Sequence, residues 1–167
     1  MNDPDPDAAA LQNVFRLSVV LEKRLQSVRG WRIPQWDLAA ILPTDAAVGQ
    51  SPVVVHREAE LTRTLWPGLK LELFRDGCEG YWYNLTSGHP VLFVICDIDE
   101  SDGEAIPLLI TASHDDAVAH METDALVLSA PVPENIYPHI ERYVVTQYVP
   151  ARRKKRRRQD WSKVGGG

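Results

Sequence analysis

Cysteine is scarce in this chain: only Cys78 and Cys96 occur among its 167 residues. They form no CxxC pair, and two thiols are too few for the disulfide framework of a small secreted protein, so a reducing, cytoplasmic setting is expected. Long apolar runs are missing as well. The longest, such as residues 90–96, fall far short of the roughly 18 residues that a membrane-spanning helix needs. The N-terminus, Met1-Asn-Asp-Pro-Asp-Pro-Asp7, is acidic and broken by proline, the reverse of the basic start and apolar run of a secretory leader. Export by a standard leader is therefore not expected.

Motifs that announce a reaction are absent too. There is no glycine-rich phosphate loop, no nucleophile elbow and no HExxH pair. The five histidines are scattered; the closest pair, His114 and His120, would lie about 240° apart around a helix and could not grip one metal from one face. The acidic run Asp97, Asp99, Glu100, Asp102, Glu104 has the density of a calcium loop, but its sixth position is Asp102 instead of glycine and its twelfth is Leu108 instead of glutamate. The expectation is a protein with no cofactor, no metal site and no catalytic residue, hence not an enzyme.

What the chain does contain is an ordinary globular composition, 44% hydrophobic and 25% charged, at a length that suits one domain. Its net charge of -5 conceals a division. Residues 152–158 are seven consecutive cations, Arg-Arg-Lys-Lys-Arg-Arg-Arg, and the chain before them is strongly acidic. The organisation expected is a disordered lead-in over 1–10, a single domain over 11–150, and an extended basic tail over 151–167.

Phe15, Leu17, Val19 and Leu21 alternate with Arg16, Ser18 and Glu22, Val20 being the exception, which predicts a half-buried strand. A second strand is expected over residues 31–42, with a bulge or sheet edge at Pro34, where a backbone donor is lost, and with Pro43 ending it. Residues 44–52 read as a loop, Val53–Val55 as the start of a short strand, and residues 58–65 as either helix or strand. Leu69, Leu71 and Leu73 alternate with Lys70, Glu72 and Phe74; Arg75-Asp76-Gly77 then offers turn chemistry before residues 80–85, so a hairpin is predicted there. Residues 91–98 are apolar enough for the centre of a sheet, and Ser101-Asp102-Gly103 turns the chain into a strand over 105–111. Ser113 is placed to cap a short helix through Met121, a short strand over 125–128 follows, and Ile136, Ile140, Val144 and Tyr148 mark an amphipathic helix that ends before Pro150. The fold class expected is α+β, mostly β: an antiparallel sheet or partly open barrel, with a short helix and a C-terminal amphipathic helix packed on it.

Two features are candidates for contact with a partner. Trp31, Trp36, Trp66, Tyr81, Trp82 and Tyr83 are numerous for this length; alternation would put Tyr81 and Tyr83 on one face and Trp82 on the other, one group in the core and the other exposed. Asn84, at the expected strand end, sits beside them. The second feature is the cationic run of Arg152, Arg153, Lys154, Lys155, Arg156, Arg157 and Arg158, which suits nucleic acid, an anionic membrane surface or an acidic protein face.

Taken together, Val19-Val20-Leu21-Glu22, Trp31, residues 36–43, residues 69–74 leading into Glu79-Gly-Tyr-Trp-Tyr-Asn-Leu-Thr86, and the closing basic run before Trp161 resemble an uncharacterised bacterial domain-of-unknown-function family that is often encoded beside molybdenum-dependent formate dehydrogenase genes. The resemblance spans most of residues 14–161, and the GYWYNLT segment is its most specific part. It implies an accessory role in assembly or maturation of such an enzyme, through binding a formate dehydrogenase subunit or its maturation factors. It brings no catalytic residues, and two isolated thiols are too few for an iron–sulfur cluster held by four cysteines. The alternative function is a nucleic-acid-binding module that uses the basic tail.

Overall fold

The computed structural model describes residues 11–45 and 49–148; the lead-in expected over 1–10 and the basic tail expected over 151–167 lie outside them. The first strand, β1 (Val14–Val28), runs antiparallel to β2 (Trp31–Pro43) through a two-residue turn. Both turn residues have positive φ, 49° at Arg29 and 83° at Gly30, the twist that a tight hairpin requires. β2 is an end strand of the sheet, which accommodates Pro34; the bulge lies elsewhere, where Ala39 is the extra residue between the Val20–Ala40 and Leu21–Leu38 pairs.

β3 (Val53–Arg57) pairs with β4 (Leu61–Glu72), so that of residues 58–65 the last five are strand and 58–60 form the connection. β4 also pairs along its length with β1. Opposite Ser18 it carries two residues, Pro67 and Gly68, and the positive φ of Gly68, 73°, makes this bulge possible without a Cβ clash.

The hairpin expected after β4 does not form. A short 3-10 turn, Arg75–Gly77, leads into α1 (Cys78–Thr86). Burial explains why: Cys78, Tyr81 and Leu85, at i, i+3 and i+7, are buried together, whereas Tyr83 is 67% exposed beside Tyr81 at 1%. A strand would have forced Tyr81 and Tyr83 onto one face. The aromatic residues' preference for strands is overridden by a helical apolar stripe.

The second half is closer to expectation. β5 (Val91–Ile98) lies between β6 (Ala105–Thr111) and β7 (Leu126–Pro131), antiparallel to both, as its apolar run predicts. α2 (His114–Met121) packs on these three strands, burying Ala117; this covers β5 on its second face, where the Phe93 ring meets that of His114 at 5.9 Å. The last helix, α3 (Tyr137–Gln147), starts with Pro138 in its first turn, packs chiefly against α1, and adds Ile140, Tyr143 and Val144 to the core formed by Leu17, Leu71 and Leu92.

The strand order is β2-β1-β4-β6-β5-β7, with β3 paired to β4 off this path. End strands β2 and β7 pack together, so the seven-stranded sheet curls into a nearly closed barrel. Five pairings are antiparallel; β4 and β6 meet in parallel, at Leu71 and Ile110. The expected fold class, mostly β with helices packed on a partly open barrel, is the one observed.

Away from the helices, Glu22 on β1 lies opposite Arg63 on β4. Its two carboxylate oxygens accept hydrogen bonds of 2.7 Å from Arg63 Nε and from Arg24 Nε. The Arg63 bond, then the Arg24 bond, hold the Glu22 carboxyl below its ordinary range.

Candidate functional site

A concavity lies where the N-terminal ends of α1 and α2 meet. Gly80 lets α1 approach the start of α2: a Cβ there would stand 3.3 Å from Ser113 Oγ. Ser113 in turn caps α2, its hydroxyl accepting the Asp116 backbone N–H at 3.3 Å, while Thr111 donates its hydroxyl to Asp116 Oδ2 at 3.1 Å. At the other wall, Tyr81 folds back so that its hydroxyl accepts the Phe74 backbone N–H at 3.1 Å. The ring lies so close beneath Gly77 that a Cβ there would be 2.6 Å from the hydroxyl. Burial pushes the Tyr81 phenol up to about 12, against the lowering effect of the Phe74 bond.

Between these walls is a cleft of about 630 Å³, with Phe74, Asp76, Glu79, Tyr83, Asp115 and Asp116 at its surface. Phe74 and Tyr83 are exposed. Glu79, Asp115 and Asp116 stand in first turns of helices, where the helix dipole favours a negative charge. Among the described residues, none of the four carboxylates takes part in an ion pair. Smaller clefts adjoin it on both sides. One of about 430 Å³ shares Tyr83 and Asp115 and adds His89, Phe93 and His114; another of about 330 Å³ shares Phe74 and Asp116 and adds Lys70 and His120.

An anionic surface with exposed aromatic rings complements cations, guanidinium groups above all, which both pair with carboxylates and stack on rings. No group of three or more histidines, cysteines or carboxylates among the described residues is arranged to hold a metal ion. Tyr148, the last described residue, belongs to the same neighbourhood: its phenol is raised first by burial and then by the charges of Glu79 and Tyr83.

The aromatic candidates are not gathered on one face. Trp31 stands at the hairpin end of β2 and is 76% exposed; Trp36, on the same strand, is half-buried against the core, with Lys23 Nζ 5.4 Å from its ring centre. Lys23 also forms an ion pair with Glu104. Tyr81, Trp82, Tyr83 and Asn84 belong to α1, where Tyr81 is core and Trp82 and Tyr83 are exposed.

Asn84 is not the turn residue expected at a strand end. Its amide nitrogen donates to Val91 O at 2.7 Å and Ala112 O at 2.9 Å, and its oxygen accepts the Val91 N–H at 3.0 Å. It ties α1 to the start of β5 and the end of β6. The basic run from Arg152 to Arg158 lies outside the described residues. The sequence reading gave Phe74, Asp76, Glu79 and Asp115 no place in a site; the available signal was the helical spacing of Cys78, Tyr81 and Leu85, which adds a second helix start with carboxylates to the one expected at Ser113.

Both thiols are remote from any such use. Cys78 and Cys96 are free and buried; burial raises both, pushing Cys96 up to about 12. No helix among the described residues is long and apolar enough to cross a membrane.

No curated protein and no solved structure significantly matches the chain. A family model does, from residue 16 to residue 158, a span that holds the barrel, the three helices and the whole basic run. The chain belongs to the family described as Protein of unknown function (DUF3305).

Proposed function

We propose that this protein is a non-catalytic accessory module that binds a partner protein, and that the partner is a subunit or maturation factor of a molybdenum-dependent formate dehydrogenase. The observation that carries the binding reading is Trp31. An indole 76% exposed at the tip of a projecting hairpin, with Val28 directly opposite it and Ile33 two residues on, is an apolar anchor left in water. Buried aromatic anchors of this kind supply much of the energy of protein interfaces. Burial of both thiols in the core argues against a cysteine nucleophile. The choice of partner rests on the resemblance described above.

The test is co-purification of tagged full-length protein with formate dehydrogenase subunits under nuclease treatment. Wild type retains a subunit, and Trp31→Ala weakens retention by about tenfold or more, as loss of an interface anchor does. Retention unaffected by the substitution places the contact elsewhere, and failure to recover any formate dehydrogenase component removes the assignment. The alternative, a nucleic-acid-binding module, predicts recovery that is abolished by nuclease and a log–log salt slope of about -5 to -6 if all seven cations contact phosphates. The acidic cleft favours the protein reading, because it repels phosphate.

A further inference from the structure

We propose that the outer face of β2, β1, β4 and β3 is a self-association surface, on which a second copy of this chain packs face to face about a two-fold axis that runs parallel to the strands between β1 and β4. This contact is separate from the partner binding proposed above, and it accounts for Val20, the apolar residue on the polar side of β1.

Val20 lies opposite Ala40 on β2 and opposite Leu65 on β4, and Leu65 lies opposite Val53 on β3, so one apolar row crosses four strands. Residues directly opposed in an antiparallel pair share a face. Val19 and Leu21, on either side of Val20, are buried in the barrel, so the row points outward. None of its four side chains joins the core, and Val53 is 49% exposed. The helices pack chiefly on one another and on β5, β6 and β7, away from this face.

The next row toward the hairpin crosses the same strands and changes character along its length: Asp37 and Glu22 supply carboxylates on β2 and β1, then Arg63 a guanidinium and His56 an imidazole on β4 and β3. Such a row complements itself when reversed. A two-fold axis along the strands reverses it, setting Asp37 against His56 of the second copy and Glu22 against Arg63 of the second copy. Because Glu22 and Arg63 already pair at 2.7 Å within one copy, the two pairs close into a ring of alternating charge. The same operation lays Ala40 on Val53 and Val20 on Leu65, apolar on apolar. An axis across the strands would instead set Asp37 on Asp37 and Arg63 on Arg63, so the charges select the orientation.

Charge also selects the occupant. Asp37 and Glu22 are balanced by Arg24 and Arg63 on the same face, within a chain of net charge -5, so two copies meet there without the repulsion that their bodies would otherwise exert. Aligned stacking of two sheets is an ordinary packing mode. β4 starts at Leu61, opposite Arg24, so the second copy places no strand against the hairpin beyond that point. Both tips project from the same end of the dimer on opposite sides of the axis, and each Trp31 stays free.

Sedimentation equilibrium of the full chain tests the idea. Four strands at the usual spacing span about 14 Å from β2 to β3, a small contact, so the dimer is reversible, with a dissociation constant on the order of 10 μM. Val53→Lys, which sets a charge into the apolar row, raises that constant about tenfold, whereas Val145→Lys, at a valine 70% exposed on α3, leaves it unchanged. Asp37→Lys and His56→Glu each weaken association about tenfold, because each change enters a two-fold dimer twice. The double variant Asp37→Lys/His56→Glu regains the affinity of wild type. Within one copy these two positions stand three strands apart, about 14 Å and beyond the screening length, so the rescue reads a contact between copies. Wild type that stays monomeric at about 200 μM overturns the proposal. A dimer indifferent to Val53→Lys, or a double variant no better than either single one, overturns it equally.

Discussion

At the hairpin end, β1, β2 and β4 are held by long backbone ladders and a cluster in which the buried Glu22 receives Arg24 and Arg63; at the helical end, α1 is tied to β5 by Asn84 and to Phe74 by Tyr81, and α2 to β6 by the Thr111–Asp116 bond. The first arrangement distributes its stability over many equivalent contacts. The second concentrates it, so that one atom can decide whether a helix stays in place. The difference teaches where substitutions are tolerated and where they are not.

The largest effect is expected at Asn84. Asn84→Ala removes three hydrogen bonds and leaves the Val91 N–H and two carbonyls without that partner, at a cost of about 3 kcal/mol, measurable by urea denaturation. A loss below about 1 kcal/mol would show that the helical end is not held as described. Next is Gly77→Ala, expected to cost about 2 kcal/mol because the new methyl meets the Tyr81 hydroxyl and ring. Tyr81→Phe alone loses the acceptor for the Phe74 N–H, about 1 to 2 kcal/mol, and the double variant costs less than the sum, since the hydroxyl that clashes is gone.

A smaller and pH-dependent effect belongs to Glu22. Its folded carboxyl is depressed by Arg63 and Arg24, so its contribution is complete above the ordinary value of 4.5 and disappears as the pH falls below that through the depressed folded value. Glu22→Gln should flatten the acid limb of the stability profile without shifting the profile at neutral pH by as much as Asn84→Ala does. The smallest effect is expected at the hairpin tip: Trp31→Ala should change stability by no more than about 0.5 kcal/mol, as for an exposed position with no structural task. A larger loss in thermal unfolding would make Trp31 a structural residue and weaken the binding reading.

The same contrast governs what was legible in the sequence. Strands β1, β2 and β5 follow from alternation or continuous apolarity because their burial is set by local period. The Ser113 cap was legible because its chemistry is local, and Pro138 fixed the start of α3. Residues 78–86 were misread because the aromatic cluster imitates a strand over five positions, and only the longer spacing from Cys78 to Leu85 distinguishes the helix. The cleft was illegible for a related reason: Glu79 and Asp115 are distant in sequence and are brought together by two helix starts, one of which was not expected. Asn84 could not be understood from its neighbours at all, since its partners are Val91, at the start of β5, and Ala112, just past the end of β6.

The parallel meeting of β4 and β6, a single aligned pair at Leu71 and Ile110, divides the barrel into two antiparallel units, β1 to β4 and β5 to β7. Within each unit the ladders run over four or more aligned pairs, whereas along this line the units share one. This line is therefore a seam: the place where the wall's backbone amides exchange with solvent first, with both units intact on either side.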